Sequence, residues 1–279
     1  MPVPSTTPRA LTTTEERWRD RYGPWAVVTG ASSGIGRAFA EHLGRAGLNV
    51  VLVARRQAEI DALARELDSV YGVEAIAVPA DLGTPAGLAA VEQATDGLDA
   101  GLLVAAAGFG TSGRFAEADL EGELAMLDVN CRATLVAAHH FAGRFAARGR
   151  GGIVLFGSIV GFQGTPYAAH YAATKAYVQT LAEGLRVELA PRGVDVVSSA
   201  PGPVHTGFAD RADMKMGQAL RPEDVVAPTL RALGRRATAY PGLLTKVLSG
   251  SLAPLPRWAR TRIMQQVMGG MTGHQRVAP

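Results

Sequence analysis

Tyr171 and Lys175 lie four residues apart in the run Tyr167-Ala-Ala-His-Tyr171-Ala-Ala-Thr-Lys175. On a helix this spacing sets both side chains on one face, one turn apart, so that an ammonium can sit beside a phenol. A phenol titrates near ~10 and shuttles protons at neutral pH only if its phenolate is favoured by about 4 kcal/mol, which a neighbouring cation helps to supply. Tyr167 is followed one turn later by Tyr171, and Tyr177 by Leu181, so neither has such a cation. Tyr171 is therefore the candidate acid–base group. Ser158 follows the apolar run 153–156, which reads as a buried strand. Its hydroxyl would emerge at a strand's carboxyl end, where open parallel sheets place their ligands. Alone, a Tyr-x-x-x-Lys pair describes a solvated helix surface, and the elements around it decide otherwise.

The apolar run Trp25–Thr29 leads through Gly30-Ala-Ser32-Ser33-Gly34-Ile35-Gly36 into a helical pattern. Glycines at these points let a backbone approach a pyrophosphate, and the free amides of the helix start favour the anion. The spacing is Gly-x-x-x-Gly-x-Gly, not the Gly-x-Gly-x-x-Gly of ordinary dinucleotide folds. A second buried strand, Asn49–Ala54, ends where an NAD site would present a carboxylate to the ribose hydroxyls; here stand Arg55 and Arg56, with no acid before Glu59. A guanidinium at that point pairs with a 2′-phosphate, so NADP(H) is the expected cofactor. A third strand is expected over residues 73–78. It precedes Asp81 and Leu82, where the carboxylate either accepts from the adenine amino group or caps the helix beginning near Pro85. A fourth strand over 102–108 ends in Ala107-Gly108, beside the expected nicotinamide. Asn130 sits inside a long helical segment, 120–148, where asparagine is a poor interior residue; a bond to a neighbouring carbonyl is the simple explanation.

The helix carrying Tyr171 runs on to a stop at Pro191-Arg-Gly193, a strand covers 194–198, and Pro201-Gly202-Pro-Val204-His-Thr206-Gly-Phe208 borders the pocket. Residues 207–220 suit a lid. The alternation of strands and helices predicts an α/β fold: a single-domain, Rossmann-type, doubly wound parallel sheet of about seven strands. Residues 1–23 form an N-terminal extension, 24–242 the catalytic domain, and 243–279 a basic amphipathic extension packing on it.

Of 279 residues, 47% are hydrophobic and only 6% aromatic, which suits helices packed closely on a parallel sheet and excludes a disordered chain. One cysteine, Cys131, allows no intrachain disulfide and no cysteine-based zinc site, and fits a reducing compartment. The N-terminal stretch lacks a signal-peptide core and no run is long enough to span a bilayer, so a cytoplasmic location is expected. His139, His140, His170 and His205 lack metal-type spacing, and no metal is expected. After Asp224 there are eight Lys and Arg residues and no acid, although the whole chain is only +3. Few aromatics interleave with that charge, so nucleic-acid binding is not expected.

Taken together these residues resemble the short-chain dehydrogenase/reductase family over roughly residues 25–242. The motifs stand in order: Thr29-Gly30-x-x-x-Gly34-x-Gly36, Asp81, Asn130, Ser158, Tyr171-x-x-x-Lys175 and Pro201-Gly202-x-Val204-x-Thr206. One departure is Ala105-Ala106-Ala107-Gly108 where the family usually carries Asn-Asn-Ala-Gly, which puts local stability or cofactor affinity in question. The resemblance implies a ketone or aldehyde interconverted with an alcohol. In that scheme Tyr171 transfers the proton, Ser158 hydrogen-bonds the substrate oxygen, Lys175 lowers the tyrosine pKa and holds the ribose, and Asn130 positions a relay water. It also implies a homodimer or homotetramer. Phe109, Phe162, Tyr167 and Phe208 lie near the expected pocket in sequence, together with Ser158 and Tyr171, and lean the small-molecule substrate toward an apolar one. In the tail, Ile263, Met264, Val267, Met268 and Met271 form an apolar stripe; packing over the pocket or between subunits is favoured over peripheral contact with an anionic membrane. An epimerase or dehydratase working without net redox change, and an idle cofactor-binding regulator, are the rival readings.

Overall fold

The computed structural model describes residues 13–276. Seven parallel strands form one sheet in the order β3-β2-β1-β4-β5-β6-β7. These are β1 (Trp25–Thr29), β2 (Asn49–Ala54), β3 (Ala75–Pro79), β4 (Ala100–Ala105), β5 (Gly151–Phe156), β6 (Val194–Ser199) and the short β7 (Thr238–Ala239). The order reverses between β1 and β4, which opens a crevice at the carboxyl ends of the strands, the usual place for a ligand in such sheets. Successive residues of the near-continuous apolar strands face opposite sides. Val28, Leu52, Leu102 and Val104 meet one helix layer, while Val27, Val51, Leu103 and Ile153 meet the other.

The first layer contains α2 (Gly34–Arg45), α3 (Gln57–Tyr71) and α9 (Glu223–Ala232), whose Phe39, Leu63 and Val225 are fully buried. The second contains α4 (Pro85–Thr95), α6 (Thr134–Arg148) and α7 (Ala169–Leu189), contributing Val91, Phe141, Phe145 and Val178. The N-terminal helix α1 (Thr13–Tyr22) docks through Tyr22, whose hydroxyl donates to Asp195 Oδ2 at 2.6 Å. Burial and that carboxylate both push the Tyr22 phenol upward. The remaining helices are α5 (Leu120–Leu127), α8 (Phe208–Arg211), α10 (Leu243–Leu252) and α11 (Arg257–Met271).

Three expectations shift, the first being the fourth strand, which lies at 100–105 rather than 102–108. The third strand lies at 75–79 rather than 73–78, ending on Pro79. The sheet tolerates a proline there because β3 is an edge strand and needs no donor on its open side. The long helix over 120–148 is broken: α5 passes into a π-helical turn over Asp128–Ala133 before α6 resumes. Such single-turn insertions often mark functional sites, and this one carries Asn130.

Candidate active site

The crevice opens into a cavity of about 720 Å³. Along its floor the β1–α2 turn is shaped by glycine. Gly30 and Gly34 have φ of 69° and 55°, and a Cβ added at Gly36 would run into the Gly30 carbonyl. Ser33, at the cap of α2, makes no side-chain capping bond and the first turn carries no acid, so the amides of this twelve-residue helix are left for an outside anion. Ser32, Ser33 and Ile35 line the cavity beside them. A dinucleotide pyrophosphate fits this cradle in shape and charge.

Arg55 and Arg56 also line the cavity, at the end of β2. Arg56 is fastened to the turn, donating to Ser32 Oγ at 3.1 Å and to Ser32 O at 3.2 Å, and pairs with Glu59 at 3.3 Å. Arg55 is exposed. Asp81 and Leu82 follow β3 at the same rim. Asp81 accepts from the Gly83 N–H at 3.0 Å, but the cap of α4 is Thr84, whose hydroxyl accepts from Gly87 N at 3.1 Å. The capping alternative for Asp81 is thereby set aside. Ala107, Gly108, Pro201, Gly202, Val204 and Thr206 close the far side, as their motif positions predict.

At the centre, α7 carries Tyr171 and Lys175, with Ser158 at the exit of β5. The Lys175 Nζ donates to the Phe156 carbonyl at 2.9 Å and lies 5.8 Å from the centroid of the Tyr171 ring. Burial lowers the Lys175 pKa to about 8 and raises that of Tyr171 to about 12, the latter opposed by the Ser158 hydroxyl. The surface that Tyr171 keeps belongs to the cavity wall rather than to an outer face. Burial, opposed only by Ser158, sets the Tyr171 shift, and the expected lowering by lysine is not among its causes. The ammonium sits over the ring and is held by a backbone carbonyl, so desolvation dominates both groups.

Asn130 is 1% exposed and fully engaged. Its Nδ2 donates to the Phe109 carbonyl at 2.8 Å and to Thr174 Oγ1 at 3.1 Å, and its Oδ1 accepts from Phe109 N at 3.0 Å. The bond to a neighbouring carbonyl is replaced by a clamp on a chain 21 residues away. Its side chain thus fixes the Gly108–Phe109 backbone. Where the Asn-Asn-Ala-Gly motif is replaced by alanines, Thr29 Oγ1 accepts from Ala107 N at 3.0 Å, and a small cavity of about 20 Å³ borders Ala105 and Ala107.

Of the four aromatic residues expected at the substrate, Phe109 and Phe208 line the cavity. The Phe208 ring lies 5.1 Å from Tyr171, and the Arg211 guanidinium stacks 3.4 Å from the Phe109 centroid. Phe162 and Tyr167 do not line it. Phe162 turns to Tyr240, at 5.8 Å, and Tyr167 packs in a small apolar cluster with Ala168 and Met214. Nearness in sequence misplaced them: in the short 3₁₀ segment Ile159–Phe162 it is Ile159 and Val160 that line the cavity, and beside Tyr167 it is Ala168. Met214, Leu248 and Leu252, which sequence order did not assign, join the expected stripe residues Met264, Met268 and Met271 in the cavity wall. The apolar stripe on α11 was the available signal.

A seven-stranded doubly wound sheet with a glycine cradle, a buried Ser and Lys and a half-buried Tyr defines a dinucleotide-dependent oxidoreductase of Rossmann type. The short chain dehydrogenase family profile matches residues 24–216, and the chain belongs to that family of NAD(P)-using oxidoreductases. It is 33% identical over 241 residues to a 7beta-hydroxysteroid dehydrogenase of Collinsella aerofaciens, covering 82% of this chain and 89% of that protein. A solved 7beta-hydroxysteroid dehydrogenase superposes with a TM-score of 0.81 at 31% identity, over 88% of this chain and 98% of that one. A short-chain dehydrogenase from Sphingobium yanoikuyae in complex with NADPH gives 0.76 at 34% identity, over 84% and 97%. Among the described residues no helix is long and apolar enough to cross a membrane, and no group of three His, Cys, Asp or Glu could hold a metal ion.

Proposed function

We propose that the chain is an NADP(H)-dependent dehydrogenase/reductase that interconverts a bulky, apolar ketone and its secondary alcohol. One observation carries this reading: Tyr171 and Lys175 lie in the same 720 Å³ cavity as a glycine cradle with uncapped helix amides at one end and a methionine-rich wall at the other. When bound, the dinucleotide supplies or accepts the hydride at the carbonyl carbon. Everything else falls to the protein. Tyr171 gives its hydroxyl proton to the carbonyl oxygen in reduction and takes it back in oxidation. Ser158, beside the phenol, donates to the same oxygen as charge develops there. Lys175, anchored on the Phe156 carbonyl, favours the phenolate once a ligand brings its ammonium into play. Asn130 positions this group by holding Phe109, and the relay water expected of it would sit beside this clamp.

Selection of the 2′-phosphate rests on Arg55, with Arg56 placed beside it by Ser32. The steroid named for the similar dehydrogenases is a large apolar ketone or alcohol of the kind this wall would accept. The catalytic unit is taken as residues 24–242, with the tail completing its substrate wall, in the cytoplasm. Exposed Leu120, Leu124 and Leu127 on α5 and Tyr177 on α7 support a homodimer formed through those helices. Incubation with NADPH and a panel of carbonyl compounds tests the reaction. Net oxidation of NADPH is expected with bulky neutral ketones, whereas interconversion of isomers without it would favour an epimerase. No turnover with any bulky ketone, with NADPH binding intact, would leave only a cofactor-binding protein.

A further inference from the structure

The face of α10 and α11 that turns away from the cavity carries exposed apolar side chains among its polar and basic ones. Leu243 is 77% exposed, Val247 57% and Trp258 71%. Leu244 and Val267, exposed by 51% and 40%, also line the cavity, so the apolar surface is continuous with its mouth. Within α10 and α11 the charge has one sign. Lys246, Arg257 and Arg262 are exposed and none forms an ion pair with a carboxylate among the described residues, while Arg260 is spent on the Leu255 and Ala253 carbonyls. No acidic residue follows Asp224 in the chain.

We propose that α10 and α11 dock the protein on an anionic lipid surface and set the mouth of the cavity against it, so that the enzyme draws a neutral ketone from the membrane. Exposed Leu, Val and Trp flanked by Lys and Arg are what an interfacial helix inserts among acyl chains and headgroups. An anionic headgroup layer supplies the countercharge that the protein itself lacks here. A second copy of the chain is the poorer occupant: a two-fold contact would press the same patch against itself and bring its unpaired cations together. The α5 patch differs in kind, because Glu117, Asp119, Glu121 and Asp128 surround its leucines. The substrate entry in this proposal rests on the reductase reading above, but the docking does not.

The test is co-sedimentation of the full chain with phosphatidylcholine vesicles, with and without phosphatidylglycerol, at low and high salt. Binding is expected only with the anionic lipid, to weaken on the order of tenfold or more at high salt, and to shift the Trp258 emission to the blue. The Leu243→Ser/Val247→Ser/Trp258→Ser variant alters no cavity-lining residue. It should lose vesicle binding on the order of tenfold or more, while still reducing a small water-soluble ketone with NADPH. Failure to bind anionic vesicles, or equal binding by the variant, overturns the proposal. So does a fall in molar mass of the variant by light scattering, which would show the patch to join copies of the chain. Wild type that reduces a ketone but does not dock sinks this inference alone; wild type that docks but reduces no ketone sinks only the catalytic reading.

Discussion

On the sheet side of the cavity, the polar groups at the reaction centre are tied to backbone. Lys175 holds the Phe156 carbonyl, Asn130 holds both polar groups of Phe109, and Thr29 holds the Ala107 N–H. On the tail side, Leu252, Met264 and Met268 are buried in a small apolar cluster. Only a few polar ties assist them, such as Gly202 N donating to Thr245 Oγ1 and Lys215 N donating to the Met271 carbonyl. Hydrogen-bonded groups on a rigid sheet keep proton donor and acceptor within a fraction of an ångström. Methionines on loosely tied helices adapt to the outline of what enters. The contrast teaches a division of labour: chemistry is held by directional bonds, and selectivity is left to a pliable apolar wall.

If that division holds, Lys175→Met should lower kcat by about 10²–10⁴-fold. It should also remove a pH dependence of stability. Lys175 titrates at about 8 in the fold against 10.5 when free, so below pH 8 the burial cost is present in full. Between pH 8 and pH 10 the folded chain gives up its proton first, and stability rises by up to about 3 kcal/mol. Above pH 10, Tyr171 and Tyr22, both raised by burial, act in the opposite sense. Thermal unfolding of wild type and variant across pH 8 to 10 should show the rise in the first and not in the second. Arg55→Ala should weaken NADPH binding by about 10–100-fold while leaving NADH nearly unaffected, read by quenching of protein fluorescence.

Asn130→Ala leaves the Phe109 N–H and C=O without partners and should cost about 1–3 kcal/mol of stability in denaturant melts, with a loss of kcat for every substrate alike. Met268→Leu conserves volume and should cost less than about 1.5 kcal/mol, changing KM among bulky ketones but not kcat. A Met268→Leu enzyme crippled in kcat, or an Asn130→Ala enzyme altered only in KM, would erase the distinction between the two walls.

Much of the sheet side was legible in sequence because its signals are local. A strand followed by Gly30, Gly34 and Gly36, a Tyr171–Lys175 pair at helical spacing, and Ser158 after an apolar strand each place themselves within a few residues. What sequence left hidden depends on contacts far along the chain. Asn130 was conspicuous as a misfit in a helix, but neither the π turn nor its clamp on Phe109 follows from local propensity. Phe162 and Tyr167 are near the cavity in sequence but do not line it: Phe162 packs on Tyr240, and Tyr167 on the cluster around Ala168 and Met214. Met214 reaches the cavity from the cover without a local signal, whereas the α11 stripe with Met264 and Met268 lies over the pocket, one of the two placements its pattern favours. The fate of the phenol also escaped, since Tyr171 sits 5.8 Å from the Lys175 ammonium by its ring and loses hydration faster than it gains charge.

The most direct measurement is single-turnover oxidation of NADPH by a bulky neutral ketone in wild type and Tyr171→Phe, with NADPH affinity determined on the same samples. Loss of one hydroxyl should slow the hydride step by about 10²–10⁴-fold and leave NADPH affinity unchanged. Equal rates in the two proteins would show that the phenol transfers no proton and that the reaction centre lies elsewhere.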